Sequence, residues 1–139
     1  GAEVIAVDVN PKALDNAEIN AAKHKVNVET RHGNMFDATP ERFDHIYFNP
    51  PYLPHTPADG RIKESLAWDG GEKGRGYTLL FINQLADHLK TKGYAYLLVS
   101  SVNEFNYVEQ HLKRRGFKYK IASKSSHFFE ELRVYEITL

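Results

Sequence analysis

Asn49-Pro50-Pro51-Tyr52 is the stretch whose residue types could do chemistry. It follows His45-Ile46-Tyr47-Phe48, an apolar and aromatic run that reads as a buried strand. Successive prolines cannot donate to a sheet ladder, so the strand stops there. A proline also holds the residue before it extended, which applies to both Asn49 and Pro50. The expected product is a stiff hook at a strand's carboxyl end, the edge at which open α/β sheets bind ligands. A planar NH2 group offers a pair of N–H donors. The Asn49 side-chain oxygen and the Pro50 carbonyl could accept one each, and Tyr52 could stack on the plane of the group. An amide or aromatic amine nitrogen is a poor nucleophile because its lone pair is delocalised. Accepting both hydrogen bonds orients it and favours the pyramidal nitrogen of a transition state. The plainer reading of Asn-Pro-Pro is a turn between strand and loop.

Other candidates fall at the ends of other runs. Asp8 closes Glu3–Asp8 and precedes a helix, where a carboxylate can accept both hydroxyls of a ribose. The alternative is a charge favoured by a helix N-terminus. Asn34 and Met35 lie just past a second strand. The Asn34 oxygen could accept from an adenine amino group, while Met35 packs on the ring and donates its backbone N–H to a ring nitrogen. An ordinary loop is the alternative there. His55, close to the hook in sequence, is a candidate proton acceptor. The seven histidines show no pair at ligand spacing, so no metal is assigned. Asp69-Gly70-Gly71-Glu72-Lys73-Gly74 lacks the Walker pattern and follows a loop, so it reads as a substrate loop rather than a phosphate loop. Lys113-Arg114-Arg115 reads as a dipole-matched, solvated helix end.

The elements that must position these residues read as alternating strands and helices. Glu3–Asp8 is a buried strand. Asn10 caps a helix running from Pro11 to about Lys23, with Leu14, Ala17 and Ala21 on one face. Val26–Arg31 is a second strand, His32–Phe43 a loop and His45–Phe48 the strand feeding the hook. Leu53–Gly74 is a long connection, of a length that is usually functional. Arg75–Lys90 is a helix with Tyr77, Phe81, Leu85 and Leu89 on one face, ended by Gly93. Tyr94–Ser100 is a strand. Asn103 caps a helix carrying Phe105, Val108 and Leu112, stopped by Gly116. Phe117–Ser123 and Leu132–Leu139 are last strands, joined antiparallel around Ser125-Ser126. The alternation predicts an α/β fold: a mainly parallel sheet with helical crossovers and an antiparallel C-terminal strand.

At 139 residues the chain is long enough for one domain, 1–139, with a real core. Its 42% hydrophobic content fits a globular protein. The 18 basic residues balance 18 acidic ones, so no global field argues for nucleic acid or a membrane surface. With no cysteine there is no disulfide framework and no thiolate metal site. No stretch reads as a membrane span or a signal peptide, and a cytoplasmic location is the simplest inference.

Phe43-Asp44-His45-Ile46-Tyr47-Phe48-Asn49-Pro50-Pro51-Tyr52 resembles the motif IV region of class I S-adenosylmethionine-dependent methyltransferases that methylate NH2 nitrogens. Leu66-Ala67-Trp68-Asp69-Gly70-Gly71-Glu72-Lys73-Gly74-Arg75 is similar to the HemK/PrmC group, most of all its short archaeal and eukaryotic branch. That resemblance implies a Rossmann-like fold and S-adenosyl-L-methionine as cofactor. It makes Asp8 with its neighbour Val9 the ribose-binding position, Asn34-Met35 the adenine contact, and Asn49, Pro50, Pro51 and Tyr52 the catalytic motif, with Asn49 also beside the cofactor. It implies as substrate the glutamine of the Gly-Gly-Gln motif in a peptide-release factor, and often a small zinc-binding activator subunit as partner. Adenine N6 of DNA and guanine N2 of RNA present the same NH2 group and stand as alternatives, as does an inactive fragment that only binds a partner. A nicotinamide-dependent dehydrogenase also has an acid ending its second strand, but it gives Asn49–Tyr52 no role. The family usually has Asp where this chain has Asn34. Its first strand and Gly-rich loop have no counterpart here, which predicts an N-terminally truncated catalytic domain whose missing strand would lie between Glu3–Asp8 and His45–Phe48.

Overall fold

The computed structural model describes residues 1–51 and 74–139. These fall into two compact units, Gly1–Glu41 and Arg42–Leu139.

The first unit is β1 (Ile5–Asp8), α1 (Pro11–His24) and β2 (Glu29–His32), with β1 and β2 parallel and Asp8 opposite His32. The local chemistry of α1 is that expected. Asn10 is extended and its side-chain oxygen accepts from the Lys12 N–H at 3.0 Å, while Pro11 occupies the first turn, where no N–H is needed. The helix ends at Lys25, which is left-handed at φ 56°, and the Lys25 and Val26 N–H groups return to Ala22 and Ala21 carbonyls. Leu14 and Ala21 are buried as α1 packs on both strands. Val26 belongs to this helix ending and is exposed, so β2 starts at Glu29 rather than at Val26.

The second unit holds β3 (Phe43–Phe48), α2 (Gly76–His88), β4 (Leu89–Ser100), a single 3-10 turn (Ser101–Asn103), α3 (Phe105–Arg114), β5 (Lys118–His127) and β6 (Glu130–Thr138). Its sheet runs β3-β4-β6-β5; β3 and β4 are parallel, and β6 is antiparallel to both of its neighbours. The core lies where α2 and α3 pack on one sheet face. Phe81, Ile82 and Leu85 of α2 and Val108 and Leu112 of α3 meet Ala95, Leu97 and Val99, which alternate inward along β4. Tyr135 and Ile137 of β6 complete it, and the Tyr135 hydroxyl donates to Glu109 at 2.6 Å.

Several sequence expectations need correction here. The His45–Phe48 run is not a buried strand. β3 is the end strand of its sheet; Ile46 and Phe48 are half-buried, and Phe48 stacks on Phe81 at 4.7 Å between ring centroids. The alternate residues face the other way, where His45 stacks on Tyr94 and Tyr47, 75% exposed, stacks on Tyr96. Gly93 does not separate helix from strand. The chain turns from α2 straight into β4 at Leu89, and Gly93 lies inside β4 at a register shift. A Cβ at Gly93 would sit 2.9 Å from the Phe43 carbonyl oxygen, so only glycine fits. Asn103 does not cap α3; it closes the 3-10 turn, and Glu104 at φ 59° precedes the helix. The last hairpin does not turn at Ser125-Ser126. Both residues are paired within β5, and the turn is Phe128-Phe129.

Candidate active site

Pairing to β4 brings β3 to its end at Phe48, opposite Leu97. Beyond it Asn49 is exposed, Pro50 is buried and Pro51 is half-buried. Among the described residues the Asn49 amide has no hydrogen-bond partner. A buried proline ring thus fixes the backbone beside an exposed amide, the arrangement a rigid acceptor pair needs. Tyr52, His55 and the stretch from Leu66 to Lys73 lie outside the described residues.

The carboxyl end of β4 shares this sheet edge and carries a site that the sequence reading missed. Asn103 is fully buried. Its oxygen accepts from the Ser100 N–H at 3.1 Å, and its amide nitrogen donates to the Gly74 carbonyl at 2.7 Å. Ser100 Oγ in turn accepts from the Val102 N–H. Gly74 is buried at φ 68°, a conformation that favours glycine. Arg75 pairs with Glu104, and its guanidinium lies 3.9 Å from the Tyr107 ring centroid. The return of the long connection is thereby clamped at the same edge as the hook. The signal available was the Ser100-x-x-Asn103 spacing, a capping-box pattern.

In the first unit Asp8 is exposed at the end of β1, and its Oδ1 accepts from the Asn10 N–H at 2.7 Å. That is the helix-start role. It leaves Oδ2 unpartnered among the described residues and a lone pair spare on Oδ1, enough to accept two hydroxyls. The Asp8 carbonyl accepts from the Gly33 N–H at 3.2 Å, and His32 Nε2 lies 3.1 Å from the carbonyl oxygen of exposed Val9. Asp8 and Val9 are therefore tied to the start of the loop that carries Asn34 and Met35. Asn34 is exposed, and its carbonyl accepts from the Asp37 N–H, closing a turn in which Met35 is left-handed at φ 52°. Such backbone in a non-glycine residue costs about 1–2 kcal/mol, and strain of this kind concentrates at ligand sites.

Gly33 and Arg31, neither singled out from sequence, hold that turn in place. A Cβ on Gly33 would come 2.7 Å from the Ala38 Cβ. Arg31 donates to Glu29, to Glu41 and to the Ala38 carbonyl. Donating to the Glu29 carboxylate and then to that of Glu41 raises its guanidinium pKa above its ordinary value. A glycine directly after a strand was the available signal for the first. Among the described residues no His, Cys, Asp and Glu cluster could hold a metal, and no helix is long and apolar enough to cross a membrane.

A sheet of this order and direction, with helical crossovers and one reversed strand, is the fold of class I S-adenosylmethionine-dependent methyltransferases. Among solved structures, Mtq2–Trm112 of E. cuniculi, a complex responsible for methylation of the eRF1 translation termination factor, matches with a TM-score of 0.64 and 21% identity, over 99% of this chain and 87% of that one. The family described as methyltransferase small domain matches residues 1–129, and this chain belongs to it. A relative from Methanocaldococcus jannaschii, named for protein N5-glutamine methyltransferase activity, is 39% identical over 102 residues, covering 72% of this chain and 51% of the relative. A release factor glutamine methyltransferase of Koribacter versatilis is 35% identical over 100 residues, covering 66% of this chain and 36% of that protein. The chain thus spans about half the length, or less, of these curated relatives.

Proposed function

We propose that this chain belongs to the catalytic domain of an S-adenosyl-L-methionine-dependent N-methyltransferase. Its substrate in this reading is the glutamine side chain of the Gly-Gly-Gln motif of a peptide-release factor. The observation that carries the proposal is the exposed Asn49 amide, unpartnered among the described residues, beside buried Pro50 at the carboxyl end of a parallel strand. The names of the relatives and the balanced charge favour a protein substrate over a nucleic acid.

The roles follow from the residues. Asn49 Oδ1 and the Pro50 carbonyl accept the two N–H groups of the target amide. This fixes the nitrogen and stabilises it as it becomes pyramidal. Pro51 stiffens the hook, and Tyr52 stacks on the target plane. Asp8 accepts ribose hydroxyls beside Val9, while Asn34 and Met35 take the adenine. When bound, S-adenosylmethionine supplies an electrophilic methyl group on a sulfonium. Residues 1–139 form one domain in this reading, and further chain supplies another strand and a Gly-rich loop. The end-strand positions of β1 and β3 and the half-length match to relatives support that. The setting is cytoplasmic, with a small zinc-binding activator subunit as partner.

The test is methyl transfer to a release factor, to DNA and to RNA, with calorimetric titration of the cofactor alongside. Asn49→Ala should lower turnover about 100- to 1,000-fold and leave cofactor affinity within about threefold, less than half the free energy of a tenfold change. Undiminished turnover refutes the role of Asn49. Transfer to DNA or RNA with none to the release factor replaces the substrate.

A further inference from the structure

We propose that the tip of the β5–β6 hairpin, Phe128-Phe129, is an apolar anchor for the folded protein that carries the target amide. It would act as a specificity determinant at a distance from the hook. This rests on the methyltransferase reading above.

The two rings are fully exposed, at 105% and 101% of their reference areas, and they are neighbours. They occupy a hairpin turn, where glycine, asparagine or aspartate is the usual choice, and Phe128 adopts φ 35° there. Contact with the core does not explain aromatic residues at this turn, whereas contact with another molecule would. Their position is fixed by register. Phe48, just before the hook, is level with Leu97 of β4, and Leu97 pairs with Tyr135 of β6; Ser100 pairs with Leu132. The tip therefore projects past the carboxyl end of β4 at the same sheet edge as Asn49. Five residues along the strand and two strands across place it about 20 Å from the hook. No single glutamine or flipped base spans that separation. A protein burying a standard patch of about 800 Å² per partner, roughly 30 Å across, covers both.

The tip is also held in place. Ser100 Oγ donates to Glu130 at 2.6 Å, and the Glu131 N–H donates to Ser101 Oγ at 3.0 Å, so the hairpin is braced against the turn that clamps Gly74. An anchor presented rigidly loses less entropy on binding. Charge selects the partner class. Glu130 and Glu131 flank the rings on β6, Arg133 is paired with Glu131 and Glu109, and Lys124 is the nearest lysine on β5. A phosphate backbone asks for a basic surface, which this is not. An apolar patch on a folded polypeptide fits it.

The experiment compares wild type, Phe128→Ser/Phe129→Ser and Phe128→Leu/Phe129→Leu. The reads are binding of an intact release factor to this chain by calorimetry, and methyl transfer to that factor and to a short Gly-Gly-Gln peptide. Thermal melts of the variants should match wild type, since both rings are outside the core. The serine pair is expected to weaken binding of the intact factor at least tenfold and raise its KM by as much. It should leave kcat and transfer to the peptide unchanged, and the leucine pair should restore most of the affinity. Factor binding within twofold of wild type overturns the anchor while leaving the methyltransferase reading standing. An equal loss on factor and peptide also overturns it. A wild-type chain that binds no release factor at all overturns both the anchor and the choice of a release factor as substrate.

Discussion

Replacing Asn103 by alanine tests the clamp at the end of β4. The side chain is wholly buried and serves two backbone groups that are themselves buried, the Ser100 N–H and the Gly74 carbonyl. Truncation leaves both without this partner. An orphaned buried donor or acceptor costs about 1–3 kcal/mol. A water molecule admitted to the vacated space returns part of that, leaving a net loss of about 2–4 kcal/mol. An unfolding entropy near 2.1 cal/mol/K per residue gives about 0.3 kcal/mol/K for a chain of this length, so the midpoint should fall by roughly 7–14 °C. Scanning calorimetry on Asn103→Ala and Asn103→Asp reads it. Aspartate keeps an acceptor for the Ser100 N–H but turns an oxygen toward the Gly74 carbonyl, so it should be no more stable than alanine. A midpoint within 2 °C of wild type for alanine, or a rescue by aspartate, would refute the link between Asn103 and Gly74.

Other outcomes follow from the same geometry. Asp8→Asn keeps an acceptor for the Asn10 N–H but loses the charge, so cofactor affinity should fall about 10- to 100-fold with the melting midpoint unchanged; calorimetric titration measures it. Glu136 is held below the usual carboxylate range, chiefly by a hydrogen bond from Lys120 and then by one from the Tyr96 hydroxyl. Its depressed folded pKa contributes stability above the unfolded value of about 4.3 and loses it as pH falls through the folded value. Acid unfolding curves of Glu136→Gln should therefore be flatter in that window. The first unit buries only Leu14 and Ala21 among its described apolar residues. Its α1 amides should exchange with deuterium well before those of β4, and equal protection across the two units would contradict that.

What could be read from sequence was local. Asn10-Pro11 carries its own chemistry, and α1 starts where those residues require. The helical spacing of Phe81 and Leu85 was legible because one buried face imposes a period. What long-range pairing decides was not legible. Leu89 continues the helical spacing of α2, yet its pairing with Phe43 makes it the first residue of β4. Ser125-Ser126 looks like a turn, but pairing with Leu132 and Glu131 carries β5 beyond it. Asn103 has the residue type of a helix cap, and tertiary contact with Gly74 gives it different work. At the candidate site, Asp8, Asn34 and Asn49 were singled out by residue type. Gly33 and Arg31 were missed because a close approach to Ala38 and a brace across a loop leave little trace in the order of residues.

The pairing of β6 with β4 makes the final hairpin a ruler. Its zero is set by the pairing of Leu97 with Tyr135, and its length is the number of residues between that rung and Phe128-Phe129. Adding one residue to each arm would move the tip outward by about 3.4 Å and turn it to the opposite side of the sheet; adding two to each arm would move it about 7 Å and keep its side. Neither change touches the hook. Variation in the length of this one hairpin is thus a way to retune which protein surfaces are measured against the fixed edge that carries the hook.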